Sequence, residues 1–473
     1  MAKMKITIKN KLRLRQVPDN LKDMLVERLK LPNPKYQEAL KHGYWTGNIP
    51  KYIVNFTVLP DESILIPRGM YRPLLGLCDS LGIKTEIEDQ RTLFKQNYDI
   101  DSSAIKLRPY QSEAIHNLIT RGDEGLLVSK AGSGKTVMGL CLVPLLGQPT
   151  LWLTHTTPLI NQVLDRIGGF LPSLKEDDIG YIGSSKKWKI GNVITVAMIQ
   201  TLVRRPEELA TLSNKFGLVI LDEAHHAPAT TFTYVLNEFS SKYMYGLTAT
   251  PTRRDGLEDL MFQTIGEVNA FVTMDEIVDY GGIIVPTVIK KDVKSPQIIT
   301  TDNFSKIIKA LVYDNHRNNL IVKDVVGEAE KGHICIVVTE RKVHAEMLHE
   351  MIRQKWPRTA IATGNYTKKY VEEQIGKLSS KEVTVLIATS ALLGEGFDFA
   401  PLDRCFLGLP FRNEAKIEQI IGRIQRPAPG KTDAVLYDYV DNHGLLQHQF
   451  YNTGSKGCRY DVYSSLGANV YQG

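Results

Sequence analysis

The sequence predicts an α/β protein: two tandem domains, each a parallel sheet wrapped by helices, preceded by a small α+β domain. Three observations carry this. From about residue 105 short apolar runs alternate with helical patterns, as strand–helix–strand crossovers require. A second run of the same texture begins near residue 333. Before residue 95 the pattern has period 2, with basic residues on the polar positions. A chain of 473 residues is also too long for one core.

The elements follow in order. Lys5-Ile6-Thr7-Ile8-Lys9 and Lys11-Leu12-Arg13-Leu14-Arg15 alternate as strands, and Leu21, Leu25 and Leu29 recur at helical spacing. Residues 52–58 and 63–66 read as two strands around the turn Pro60-Asp61-Glu62. In the middle of the chain strands are expected at 125–128, 150–153, 193–196, 218–221 and 245–247. In the last part they are expected at 333–338, 383–388, 404–409 and 434–438. Residues 285–330, Lys-rich and then helical, read as the join between the halves. The expected division is 1–95, 96–285, 286–445 and a tail, 446–473. The tail is polar and aromatic (Gln447, His448, Tyr451, Arg459, Tyr460) and is expected to pack on the last domain.

Composition narrows the class. The chain is 43% apolar and 23% charged, as globular proteins are, and no apolar stretch is long enough for a membrane span. The Lys-rich N-terminus lacks the apolar core of a secretory signal. Cys78, Cys141, Cys335, Cys405 and Cys458 are scattered without a C-x-x-C pair, which argues against a zinc or iron–sulfur site. They read as reduced, buried thiols in a cytoplasmic protein, or in the host cytoplasm for a viral one. Net charge is +6, and residues 1–30 alone hold nine Lys/Arg against three acids. Such a block attracts polyanions, although an isolated charge run is more often one solvated face.

Two stretches carry the chemistry. Residues 125–128 run as a strand into Ala131-Gly132-Ser133-Gly134-Lys135-Thr136, and a helical pattern follows. Glycines let backbone N–H groups approach phosphates, and the helix N-terminus adds its positive dipole end. Lys135 is expected to neutralise β/γ-phosphate charge and Thr136 to ligate Mg²⁺. Ser129 stands where the strict pattern has Gly or Ala, a small-for-small departure. Residues 216–221 then deliver Asp222 and Glu223 at a strand's carboxyl end, where open α/β sheets place ligands. Asp222 is the candidate Mg²⁺ ligand, and Glu223 the base for the attacking water. The bland alternative, an acidic strand end capping the next helix, leaves the upstream loop unexplained. Upstream, Arg108 and Gln111 are candidates for the adenine, since an amide offers both a donor and an acceptor, with a plain helix N-terminus as the alternative. The expected cofactors are therefore ATP and Mg²⁺.

The order of these stretches, with Asp222-Glu223-Ala224-His225, Thr248-Ala249-Thr250 and Gln419-x-x-Gly422-Arg423-x-x-Arg426, resembles the superfamily 2 helicases and translocases. The resemblance covers about residues 105–445 and implies two RecA-like domains. The DEAH spelling and Gly246–Asp255 look most like the XPB-like and UvsW-like branch, which are DNA motors. Asn33-Pro34-Lys35-Tyr36, Trp45-Thr46-Gly47 and Leu65-Ile66-Pro67-Arg68-Gly69 more loosely resemble the accessory domain of that branch. The resemblance further implies that Thr248 and Thr250 couple hydrolysis to movement. It implies that Gly394-Glu395-Gly396-Phe397-Asp398, Gly396 and Asp398 above all, meet nucleotide and strand. It implies that Gln419, Arg423 and Arg426 face ATP, where an arginine would stabilise charge on the transferring phosphoryl group. An exposed helix face is the plain alternative for these arginines.

Strand contacts are expected from Thr154–Leu159, Ala197–Thr201, Val338–Arg341 and Ala388–Ser390, through hydroxyls and amides that do not read bases. Lys186-Lys187-Trp188-Lys189 is a further basic turn with one aromatic, more often a solvated hairpin tip. The expected partner is DNA, duplex, forked or branched, bound without sequence preference. RNA is the weaker alternative, and the motor subunit of a restriction or nuclease complex a third reading. No membrane partner is expected, and nothing in the sequence calls for more than a monomer.

Overall fold

The computed structural model describes residues 3–473 except 96–97, 99, 131, 184–187, 224–228, 252–255, 295–300, 302, 392–398, 412–413 and 452–457. The chain forms two compact units. One comprises Met1–Lys130 and Gly134–Thr273, the other Met274–Gly473 with Ala131–Ser133.

The first unit opens with β1 (Met4–Ile8), β2 (Lys11–Arg15), β3 (Lys30–Pro32), β4 (Tyr52–Val54), β5 (Thr57–Val58), β6 (Ile64–Pro67) and β7 (Thr85–Asp89). Five of these make a sheet in the order β5-β6-β2-β1-β7. Alternation in β1 and β2 sends Met4, Ile6, Ile8, Leu12 and Leu14 inward, against Leu21 and Leu25 of the helix Asp19–Arg28. The basic side chains take the other face, as the sequence implies. That face is less positive than its cations suggest. Arg13 lies 2.7 Å from Asp61, and β7 brings Glu86 within 4.0 Å of Lys5.

The expected strand 52–58 is broken. Its first half pairs with β3 in a separate two-stranded sheet, and its second half pairs with β6. The break falls at Asn55, whose amide donates to Gln263 Oε1 at 2.8 Å. A tertiary hydrogen bond overrides local β-propensity here.

Arg68 fastens this part to the next sheet. Its guanidinium is 1% exposed and donates to Glu124 Oε2 (2.6 Å), Ser241 O (2.6 Å) and Lys242 O (3.1 Å). Burial pushes the Glu124 carboxyl up, against the pull of Arg68. Next to it, a Cβ on Gly69 would lie 2.5 Å from Gly266 N, so only glycine fits. Removing one partner of a buried ion pair costs about 3–5 kcal/mol. Arg68→Ala is therefore expected to lower the melting temperature clearly, and Arg68→Ala/Glu124→Ala to recover part of the loss. Unchanged melting of the single variant would contradict this.

The main sheet of the unit contains β8 (Glu124–Ser129), β9 (Thr150–Thr154), β10 (Ile179–Ile182), β11 (Trp188–Lys189), β12 (Ile194–Met198), β13 (Leu218–Asp222), β14 (Tyr243–Thr248) and β15 (Val268–Val272). Their order is β11-β10-β12-β9-β13-β14-β8-β15, and every pairing but β10 with β11 is parallel. The carboxyl ends of β8, β9, β12, β13 and β14 therefore share one edge.

The second unit holds β16 (Thr287–Val293), β17 (Cys335–Thr339), β18 (Thr359–Ala362), β19 (Val385–Thr389), β20 (Arg404–Leu407), β21 (Val435–Asp441) and β22 (Asn469–Gln472). All pairings are parallel, in the order β18-β19-β17-β20-β21-β16-β22. The segment read as a join thus contributes β16, an interior strand. Lys290 and Lys291 hide it in the sequence. Their ammonium groups are neutralised by Asp292 (2.5 Å) and Asp324 (3.3 Å). The described residues after 445 fold onto this sheet: Phe450, Val462, Tyr463 and Leu466 join its core, and Arg459 donates to Asp438 at 2.7 Å.

Candidate nucleotide-binding site

β8 is buried along its whole length and feeds the glycine-rich loop. Gly132 and Gly134 take φ +86° and +87°, a region that costs other residues strain. Gly134 caps the helix Lys135–Leu146, whose first N–H groups have no partner within the helix. A Cβ on Gly134 would lie 2.4 Å from Gln111 Nε2, so Gln111 leans directly on the loop. Gln111 is 3% exposed, and its Oε1 accepts from Arg108 N at 2.8 Å. One acceptor direction of the amide thus fixes the start of the helix Pro109–Thr120.

Lys135 Nζ donates to Ser129 O at 3.0 Å and Lys130 O at 3.4 Å, and lies 3.7 Å from Glu223 Oε1. Thr136 follows it, half-buried. β13 delivers Asp222 from a fully buried strand. Its carboxyl is pushed up to about 7, by burial first and the Glu223 charge second, with Lys135 pulling the other way. Glu223 turns the chain at φ +52°, a conformation costing a non-glycine residue about 1–3 kcal/mol. Thr248 ends β14, with its hydroxyl donating to Thr250 O at 2.7 Å.

The first unit therefore gathers Gln111, Gly134, Lys135, Thr136, Asp222 and Glu223 at one sheet edge. These groups suit a nucleotide with Mg²⁺. Open-φ glycines bare backbone N–H groups, an ammonium sits at the helix start, and a divalent cation would favour the ionised form of Asp222. In the second unit, Gln419 is exposed on the helix Glu414–Ile424, and Arg423 and Arg426 are half-buried at its end. Gly394 to Asp398, including Gly396 and Asp398, lie outside the described residues. So do Ala131, Lys186, Lys187, Ala224, His225, His226 and Thr252 to Asp255.

Thr154, Met198, Thr339 and Thr389 end β9, β12, β17 and β19, so each expected strand-contact segment starts at the carboxyl end of a strand. Two lysines that the sequence does not single out organise the second unit. Lys416 Nζ donates to Glu340 Oε1 at 2.9 Å and Ser390 Oγ at 3.4 Å. Lys431 Nζ lies 2.5 Å from Ile424 O, 2.9 Å from Arg426 O, 2.6 Å from Leu402 O and 3.2 Å from Ala400 O. The only advance sign of it is a lysine after Pro427-Ala428-Pro429-Gly430. Among the described residues no helix is long and apolar enough to cross a membrane.

A glycine loop at a helix start, facing paired carboxylates, defines a phosphate-loop nucleoside triphosphatase. Here a second parallel-sheet domain follows it. Residues 104–253 match the family described as "Type III restriction enzyme, res subunit", and residues 317–428 the "Helicase conserved C-terminal domain". The chain is 30% identical to the probable helicase D10 of Escherichia phage T5, over 78% of each chain. It is 21% identical to the ATP-dependent DNA helicase uvsW of Enterobacteria phage T4, over 87% of this chain and 84% of that one. Its fold is similar to S. cerevisiae Dbp5 bound to RNA and ADP BeF3, with TM-score 0.53 and 14% identity over 78% of this chain and 90% of that one. The chain belongs to the superfamily 2 helicases and resembles their XPB-like and UvsW-like branch. It is an ATP-dependent helicase with two tandem RecA-like domains.

Proposed function

We propose that the chain is a DNA-dependent ATPase that moves on duplex and remodels forks and Holliday-type junctions, in recombination, repair or replication. The observation that carries the chemistry is Lys135 Nζ at 3.7 Å from Glu223, with the buried Asp222 beside them. Likeness to the DNA helicase uvsW along most of the chain supports DNA as the track.

In this reading the loop from Gly132 to Thr136 binds the phosphates, and Arg108 and Gln111 bind the adenine. Glu223 takes the proton of the attacking water as the bond from γ-phosphorus to the bridging oxygen breaks. Bound Mg²⁺ supplies charge neutralisation at the phosphate oxygens, with Thr136 and Asp222 as its protein ligands. The family resemblance assigns Gln419, Arg423, Arg426, Gly396 and Asp398 further nucleotide-binding roles, with the arginines stabilising γ-phosphoryl charge.

The raised Asp222 pKa gives a pH dependence. A divalent cation needs the carboxylate, so below about 7 it competes with a proton at Asp222. Mg²⁺ affinity in the presence of ADP is expected to weaken by up to about ten-fold for each pH unit below that point. It should be flat above it. A titration that is flat from pH 6 to 8 would show Asp222 ionised throughout.

The function is tested by steady-state ATP hydrolysis with single-stranded, duplex, forked and four-way-junction DNA and with RNA, at fixed salt. Strongest stimulation by forks or junctions is expected. Stimulation by RNA alone would overturn DNA as the track, and no stimulation by any of them would overturn the motor.

A further inference from the structure

The cations of β1 and β2 share their face with Asp61, Glu86 and Glu88, which offset most of their charge, so the larger surplus of the N-terminal part is to be sought elsewhere. It lies on the next segment. Residues 28–54 carry Arg28, Lys30, Lys35, Lys41 and Lys51 against a single carboxylate, Glu38. Among the described residues, none of Lys30, Lys35, Lys41 and Lys51 is ion-paired.

Amid these cations stand Tyr44 and Trp45, 69% and 74% exposed, the most exposed large apolar side chains among the described residues. Rings of this size normally dominate cores and interfaces. Their loop is held at its base. Asn33 caps the helix Pro34–Lys41 and donates from its amide to Pro50 O at 2.8 Å, while Asn33 N donates to Lys51 O at 3.1 Å. Tyr44 N donates to Ala39 O at 2.8 Å. Gly43, at φ +68°, turns the chain outward after the helix.

The two rings rest on small supports. His42 stacks on Tyr44 with ring centroids 5.7 Å apart. The Trp45 indole lies over Gly47, where a Cβ would come within 2.4 Å of the ring. The stem of the loop, β3 and β4, is anchored to the ATP-binding sheet domain: Leu31 and Ile53 pack with that domain's core.

We propose that the 42–51 loop is a base-stacking platform: an unpaired DNA base stacks on Trp45 and Tyr44 while Lys30, Lys35, Lys41 and Lys51 hold the flanking phosphates. This rests on the DNA reading above and adds the place where unpaired bases are met. Every base has a π-face, so stacking is indifferent to sequence. Lys30 and Lys51 lie over the Tyr52 ring of the same stem, 4.5 and 5.4 Å from its centroid, and such ammonium groups neutralise backbone charge without reading bases either. Cations interleaved with rings suit a polyanion rather than an apolar protein surface.

The test uses the full chain and a forked DNA with 2-aminopurine at the first unpaired position. Wild type is expected to quench its fluorescence on binding. Tyr44→Ala/Trp45→Ala should lose the quenching and bind the fork about ten-fold or more weakly, as lost base–aromatic stacking implies. Strand separation should fall with it. Stimulation of ATP hydrolysis by blunt duplex should change little, and Trp45→Phe should restore most of the fork activity. An unchanged melting temperature is expected, since neither ring is in a core. A double variant that quenches and separates strands like wild type overturns the platform. So does one that loses duplex stimulation in equal measure. A wild type that no DNA stimulates would instead sink the DNA reading, which the duplex measurement reports separately.

Discussion

Lys135→Ala is expected to lower ATP turnover by roughly 10²–10³-fold or more, the loss seen when one preorganised charge-stabilising donor is removed. The ammonium is held 8% exposed at the start of its helix, so water cannot readily take its place. Its hydrogen bonds to Ser129 O and Lys130 O also hold the loop closed, so nucleotide affinity should fall together with turnover. Steady-state hydrolysis with and without DNA reads the first effect, and fluorescent-nucleotide binding the second. Turnover at the wild-type level would refute the phosphate-loop assignment outright.

Glu223→Gln should separate the two. The amide keeps the shape but cannot accept a proton, and loss of a general base costs about 10²–10⁴-fold. ATP binding is expected to persist. Glu223 is the second cause of the raised Asp222 pKa, so the substitution should ease ionisation of Asp222 and leave Mg²⁺ binding at least as tight. Rapid-quench measurement of a single turnover would show bound ATP accumulating without ADP. If that turnover runs at wild-type speed, the base lies elsewhere. If ATP no longer binds, Glu223 is structural.

Much of this architecture is legible in the sequence because parallel strands buried on both faces read as short apolar runs. β8, β9, β13, β14 and β19 fall within a residue or two of their expected places. Where a strand mixes charge with apolar residues, the pattern fails: β16 carries two lysines, and only folding brings Asp324 to Lys291 and Gln472 to Lys290, which also pairs with Asp292 of its own strand. Asn55 ends a strand through a residue more than two hundred positions away, which periodicity cannot register. The glycine loop and the two carboxylates are visible because their chemistry needs fixed spacing. The left-handed turn at Glu223, the lean of Gln111 on Gly134 and the four carbonyls around Lys431 exist only after folding.

Those four carbonyls reach beyond the site itself. Residues 427–430 look like a surface connection, the sort that normally accepts an extra residue. Pro427 and Pro429 have no N–H to offer the last carbonyls of the preceding helix. The Lys431 side chain stands in as their donor and at the same time grips Ala400 and Leu402. One inserted residue can shift the ammonium by about 3.3–3.6 Å, out of hydrogen-bond reach of a cage this small. The connection is therefore a measured spacer, its length set by the two strips of chain that Lys431 keeps in step.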